Sequence, residues 1–179
     1  ARHPKKLYWE NLYAYNILKR LKNIRVNLVH AHFAHREGVV GLLVKHKTKL
    51  PLVVTLHGYD ILIDPKINYG ARLDPKTDKL VRLVLEEADA IIVASKAVYD
   101  EAKKIVADTE KIHLIPNGVD VKKFNPNLDG TPVRRKLGIR NEIMVFSIGY
   151  LTLRKGFKYL IKAASLVLQE EKHVVFVIG

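Results

Sequence analysis

Short apolar runs alternate along this chain with longer stretches in which apolar residues recur every three or four positions. That alternation narrows the fold more than any other feature. A strand buried on both faces reads as a continuous apolar run, whereas a helix laid on a sheet shows one apolar stripe. Strands and helices in strict alternation predict an α/β protein built on parallel sheets.

The pattern places a helix over Pro4 to Lys22, with proline near its start where the missing N–H costs nothing, and a strand over Val26 to Ala31. A second helix covers Glu37 to Lys47. The run Leu52 to Leu56 is a strand behind Pro51, and Gly58 to Pro75 is irregular, broken by Pro65 and Gly70. Thr77 caps a helix to Glu87, Ala90 to Ala94 is a strand, and Ser95 caps a helix from Lys96 to Ala107. A strand over Ile112 to Ile115 ends at Pro116-Asn117-Gly118. Val119 to Leu128 has little pattern and leads into further turn formers, which marks a linker. Beyond it come a short basic helix (Val133 to Leu137), a strand (Glu142 to Ile148), an amphipathic helix carrying Phe157, Leu160, Ile161, Ala164 and Leu168, and a last strand (Val174 to Ile178). The domain reading is residues 1–120 as the end of one Rossmann-like domain, 121–141 as linker and entry segment, and 142–179 as the start of a second. The chain has no initiator Met and stops directly after an apolar run, so it is expected to be an internal piece of a longer protein.

Composition excludes several classes. There is no cysteine, hence no disulfide or thiolate metal site, and cytoplasmic residence is the default expectation. No apolar run approaches the roughly 18–20 residues that span a bilayer, and no signal-peptide core follows Ala1. The net charge of +13 is uneven: residues 1–50 hold eleven Lys and Arg against two acids. Basic surface attracts phosphorylated ligands, anionic lipid or nucleic acid, and is also what a soluble lysine-rich surface looks like. Lys5, Lys6, Tyr8, Trp9, Tyr13, Tyr15, Lys19, Arg20 and Lys22 suit an interfacial helix on anionic membrane; a helix packed on the sheet with its lysines in water suits them slightly better.

In open α/β sheets ligands bind beyond the carboxyl ends of the strands. Those ends carry His30-Ala31-His32-Phe33 with His35 nearby, then His57-Gly58-Tyr59-Asp60, then Ser95, then Pro116-Asn117-Gly118, and, past the linker, Gly149-Tyr150 followed by Arg154-Lys155-Gly156 at a helix start. Clustered histidines raise a metal reading. The spacing is not His-Glu-x-x-His, cysteine is absent and there is no Asp-x-Asp pair, so no metal site is assigned. Arg154-Lys155-Gly156 before a helix suits an anion: helix N-termini offer free N–H groups, glycine admits close approach and lysine adds charge. Neither the dinucleotide glycine pattern nor the P-loop spacing is present.

In order and spacing these segments resemble the retaining GT-B glycosyltransferases with a Glu-x7-Glu motif, the group 1 or family 4 type. The matching text is Val29-His30-Ala31-His32, Thr55-Leu56-His57-Gly58-Tyr59-Asp60, Ala88-Asp89-Ala90 through Ser95, Ile115-Pro116-Asn117-Gly118-Val119-Asp120 with Phe124-Asn125-Pro126, Ile148-Gly149-Tyr150-Leu151, and Lys155-Gly156-Phe157. No single segment is decisive, and the match runs from about residue 26 to the end.

The resemblance implies two Rossmann-like doubly wound domains, both incomplete here, with the acceptor on the first and a nucleotide sugar on the second. It implies transfer of a sugar to an acceptor hydroxyl with retention, in polysaccharide, glycolipid or glycoconjugate synthesis, with no cofactor and no metal. Carried over residue by residue, it puts His57 by the transferred sugar as the catalytic candidate. Lys155, Gly149 and Arg154 fall on the donor diphosphate, and His32, Gly58, Asp60 and Asn117 along the cleft. The chain departs from the family at Tyr150, where members usually carry an arginine that also contacts the diphosphate; losing such a charge-assisted contact costs roughly 1.5–3 kcal/mol. The glycine loop of the first domain would lie upstream of Ala1 and the Glu-x7-Glu motif downstream of Gly179, so this piece alone is expected to be inactive. The implied partners are a nucleotide-sugar donor and a carbohydrate or lipid-linked acceptor, with contact to anionic membrane through the first helix left open. A sugar-nucleotide epimerase of the same architecture is the main alternative. A nucleic-acid-binding domain is a distant one, since no motif for it is present.

Overall fold

In a computed structural model, which describes residues 8–179, the alternating runs fold into parallel sheets flanked by helices. The chain divides into two compact units, one ending at Asn117 and one beginning at Gly118.

The first unit holds a four-stranded, all-parallel sheet: β1 (Val29–His32), β2 (Leu52–Leu56), β3 (Ala90–Val93) and β4 (Ile112–Leu114), in that spatial order. Each of the first three strands is followed by a helix that crosses back to start the next: α2 (Arg36–Thr48), α3 (Pro75–Glu87) and α4 (Lys96–Ala102). Val54, Leu56, Ile91 and Val93, each fully buried, pack against Val81, Val84 and Leu85 of α3 and Val39 and Leu42 of α2. Because all four strands run the same way, their carboxyl ends share one edge of the sheet. A preceding helix, α1 (Tyr8–Leu21), packs on α2; Lys5 and Lys6 lie outside the described residues. Among the described residues no helix is long and apolar enough to cross a membrane.

Several element ends differ from the sequence reading, and those of β1, α3 and α4 have a visible cause. β1 starts at Val29, not Val26, and runs through His32. Its ladder begins where the Val29 N–H donates to the Pro51 carbonyl (2.8 Å), and Pro51 has no N–H with which to extend pairing upstream. α3 starts at Pro75, capped by the Asp74 carboxylate on the Thr77 N–H (2.8 Å), so Thr77 is the capped residue rather than the cap. α4 ends at Ala102 instead of Ala107. There the chain tightens into three-residue turns (Lys104 N–H to Glu101, 3.1 Å; Ile105 N–H to Ala102, 3.0 Å) and tucks Val106 into the core. The Ser95 cap is present, with its hydroxyl 3.4 Å from the Val98 nitrogen.

The second unit holds α5 (Thr131–Lys136), β5 (Ile143–Ser147), α6 (Phe157–Glu170) and β6 (Val174–Ile178), with β5 and β6 paired parallel. A 3-10 turn at Leu153–Lys155 stands between β5 and α6, so Arg154 and Lys155 precede the helix.

Candidate functional site

Residues two apart on a strand share a face, so His30 and His32 of β1 stand side by side with ring centroids 4.6 Å apart. The parallel register sets His32 opposite Thr55, and the Thr55 hydroxyl lies 2.7 Å from His30 Nε2. One residue past β2, His57 lays its ring along that of His32 (5.2 Å, 29°), with His57 Nε2 2.9 Å from His32 Nδ1. Burial, and behind it the charges that His32 and His57 can carry, hold His30 below the ordinary histidine range.

Two devices fix this row. Phe33 turns the chain off β1 with φ at 76°, a left-handed conformation costing a bulky residue of order 1 kcal/mol. Its N–H bonds the Thr55 carbonyl (2.9 Å) and its ring packs on His57 at 4.5 Å. Asp60 is fully buried, and its two carboxylate oxygens accept from the Ala34 N–H (2.9 Å) and the His57 N–H (3.0 Å). The loop after β1 is thereby tied to the loop after β2. Gly58 is buried in the same turn, where its carbonyl accepts from the Leu62 N–H (2.7 Å).

The structure therefore gathers His32, His57, Gly58 and Asp60 within one loop pair, with Asp60 spent on backbone. Asn117 lies exposed beyond β4, on the opposite edge strand of the sheet. The sequence reading passed over Phe33 and Thr55 and left His30 among unassigned histidines. The i, i+2 spacing of His30 and His32 was the available signal for the last. A cavity of about 990 Å³ opens beside His30 and His32, walled by Trp9, Tyr13 and Ile17 of α1 and by Val40 and Val44 of α2. The aromatic side of α1 thus faces a groove. Among the described residues no group of three or more His, Cys, Asp or Glu side chains is disposed to hold a metal ion.

In the second unit, β5 runs into Gly149, whose φ of 153° disfavours any side chain. The Lys155 stem and the Phe157 ring lie over this glycine, each 3.8 Å from where a Cβ would stand. Gly156, in the left-handed region, ends the 3-10 turn and opens α6, whose first turn carries no side-chain cap and no acid. The exposed Arg154 and Lys155 flank that helix start, and Tyr150 is 85 % exposed next to Gly149.

A parallel α/β layout with polar side chains gathered at the carboxyl ends of its strands defines a Rossmann-like ligand-binding architecture. Comparison with known proteins makes this specific. The family model described as Glycosyltransferase Family 4 matches residues 1–123, and the chain belongs to that family. It is 28 % identical over 165 residues to a putative teichuronic acid biosynthesis glycosyltransferase of Bacillus subtilis, covering 90 % of this chain and 40 % of that protein. It is 32 % identical over 144 residues to the D-inositol 3-phosphate glycosyltransferase of Mycobacteroides abscessus, covering 77 % and 31 %. The chain spans about a third to two fifths of the length of these relatives. Among solved structures, Anabaena HepE in complex with UDP and glucose superposes with a TM-score of 0.74 at 22 % identity, over 99 % of this chain and 45 % of that one. Sucrose-phosphate synthase from Thermosynechococcus elongatus gives 0.71 at 19 %, over 100 % and 52 %. The fold is that of the GT-B glycosyltransferases.

Proposed function

We propose that this chain is part of a retaining glycosyltransferase that moves a hexose from a nucleoside-diphosphate sugar to an acceptor hydroxyl. The observation that carries the reading is in the second unit, where Lys155 lies over Gly149 beside an uncapped helix start. In such a transfer the bond from the anomeric carbon to the diphosphate oxygen breaks and its electron pair stays on the diphosphate. The acceptor oxygen bonds to the anomeric carbon, and its proton passes to the departing diphosphate. Fixed positive groups stabilise the charge growing on the leaving group. Lys155, with Arg154 beside it and the N–H groups that open α6, is suited to that task without a metal ion. His57 is assigned to the transferred sugar. The bound UDP and glucose of the Anabaena structure support a nucleotide-sugar donor, and the teichuronic acid relative supports a role in making glycoconjugates or polysaccharide.

The test is made in the full-length parent enzyme. Lys155→Ala is expected to lower kcat/KM for the sugar nucleotide roughly ten- to hundredfold, as loss of one charge-assisted phosphate contact implies. Unchanged transfer would remove the diphosphate assignment. A sugar-nucleotide epimerase is the second reading, favoured by a fold likeness to the UDP-N-acetylglucosamine 2-epimerase of Rickettsia bellii (TM-score 0.53, 11 % identity). Relatives found by sequence carry glycosyltransferase names at 27–32 % identity, so transfer is preferred. Product analysis with and without acceptor separates the two: an epimerase turns over without one.

A further inference from the structure

We infer that His32 is a positioning residue that locks His57 in a single tautomer, so that His57 meets its ligand through Nδ1 as a hydrogen-bond acceptor. The inference deepens the assignment of His57 to the transferred sugar and rests on that reading for its ligand.

The argument begins with one proton and two nitrogens. At 2.9 Å, His32 Nδ1 and His57 Nε2 share a single hydrogen bond, in which one ring donates and the other accepts. If His57 donates, it is the Nε2–H tautomer, and His32, accepting at Nδ1, carries its own proton on Nε2. If His32 donates, both rings are forced into the Nδ1–H form. A neutral imidazole side chain intrinsically favours Nε2–H, so the first arrangement leaves both rings in their preferred state and the second leaves neither. The bond made by one ring nitrogen sets the role of the other. His57 Nδ1 is then a bare lone pair.

The surroundings keep the ring from escaping this choice. The Asp60 carboxylate holds the His57 backbone at 3.0 Å, Phe33 packs on its ring at 4.5 Å, and His32 lies nearly parallel to it. His32 is itself held from behind by His30, whose Nε2 is engaged by Thr55. With Nε2 occupied and the ring fixed, Nδ1 is the polar atom that His57 has left to offer. A lone pair selects a ligand that donates, such as a sugar hydroxyl, and discriminates against the deoxy or O-alkylated analogue at that position.

The experiment is ¹⁵N NMR of the imidazoles in the 179-residue chain at about pH 8, where an ordinary histidine is neutral. Protonated and bare ring nitrogens give well-separated ¹⁵N shifts. Wild type is expected to show His57 with its proton on Nε2 alone and a bare Nδ1. His32→Asn, whose side-chain oxygen can still accept from Nε2–H, is expected to keep that pattern. His32→Ala is expected to give averaged shifts from mixed tautomers. A proton on His57 Nδ1 in wild type overturns the inference, as does a His57 spectrum identical in wild type and His32→Ala. In the full-length parent, His32→Ala should lower kcat with little change in KM for the donor, and His32→Asn should restore most of it. Equal loss in both variants counts against a tautomer lock. If the tautomer pattern holds while the parent transfers no sugar, the functional reading falls and the lock stands, so the two failures are distinguishable.

Discussion

Asp60 shows how much a single side chain arranges here. Both of its oxygens are committed to backbone N–H groups of different loops, in a fully buried setting. Removing the carboxylate leaves two donors unsatisfied, at about 1–3 kcal/mol each when they are buried. Asp60→Ala is therefore expected to destabilise the first unit by about 3 kcal/mol, and Asp60→Asn by roughly half as much, because one oxygen can still accept. Urea unfolding followed through Trp9, the chain's one tryptophan and part of that unit, measures both. A loss under 1 kcal/mol for the alanine variant would show that the loops hold without it. The sequence placed His32, His57 and Asp60 near strand ends, because strand ends are legible from apolar runs. It did not pair His32 with His57. That contact spans 25 positions and depends on a parallel register aligning His32 with Thr55, which no local pattern encodes. Nor did it separate the polar residue that faces a ligand from the one that ties backbone. Asp60 and His57 look alike in sequence and differ only in what surrounds them.

At the scale of elements, α2 lies close against the core. A methyl group on Gly38 would stand 2.9 Å from a Val84 methyl and 3.0 Å from the Phe33 carbonyl oxygen. Gly38→Ala gains up to about 1 kcal/mol of helix propensity, while overpacking costs about 1–3 kcal/mol. The overpacking term is expected to win, because the second contact is backbone and belongs to the strained turn that supports His57. The variant should therefore unfold at lower urea with a net loss of about 1 kcal/mol, and His57 imidazole resonances should move. A stabilised variant would mean that the turn yields freely. The kind and order of the elements was legible, since apolar periodicity distinguishes a buried strand from a helix stripe. Their ends were less so. Asp74-Pro75 is a sound cap-and-start signal, yet Thr77 two residues on is also a good cap, and only the carboxylate's bond to the Thr77 N–H decides between them. The true limit of β1 belongs to its partner, since Pro51 withholds the N–H that upstream pairing would need.

At the scale of the whole molecule the two units are unequally built. The first owns a continuous core in which Leu52, Val54, Leu56, Ile91, Val81, Val84 and Leu85 are all fully buried. Among the described residues of the second, only Ile139, Phe157 and Val174 count as buried apolar side chains, while Tyr159, Ile161 and Leu166 of α6 stand 59–65 % exposed. Its sheet has two strands, and a two-stranded sheet with so little apolar burial is marginal by itself. Local opening follows burial: segments with few buried contacts open at low free energy, and those in the core open only with the unit. Backbone amides of β2 and β3 are thus expected to exchange with solvent deuterium at least about a hundredfold more slowly than those of β5 and β6, a difference near 2.7 kcal/mol in opening free energy. Hydrogen exchange read by mass spectrometry on the 179-residue chain gives both rates in one sample. Equal protection in the two sheets would mean that the second unit is covered by something beyond its own side chains, another copy of the chain being the first candidate. A concentration series in the same experiment would then show β5 and β6 protection rising with protein concentration, whereas protection intrinsic to the unit would stay constant.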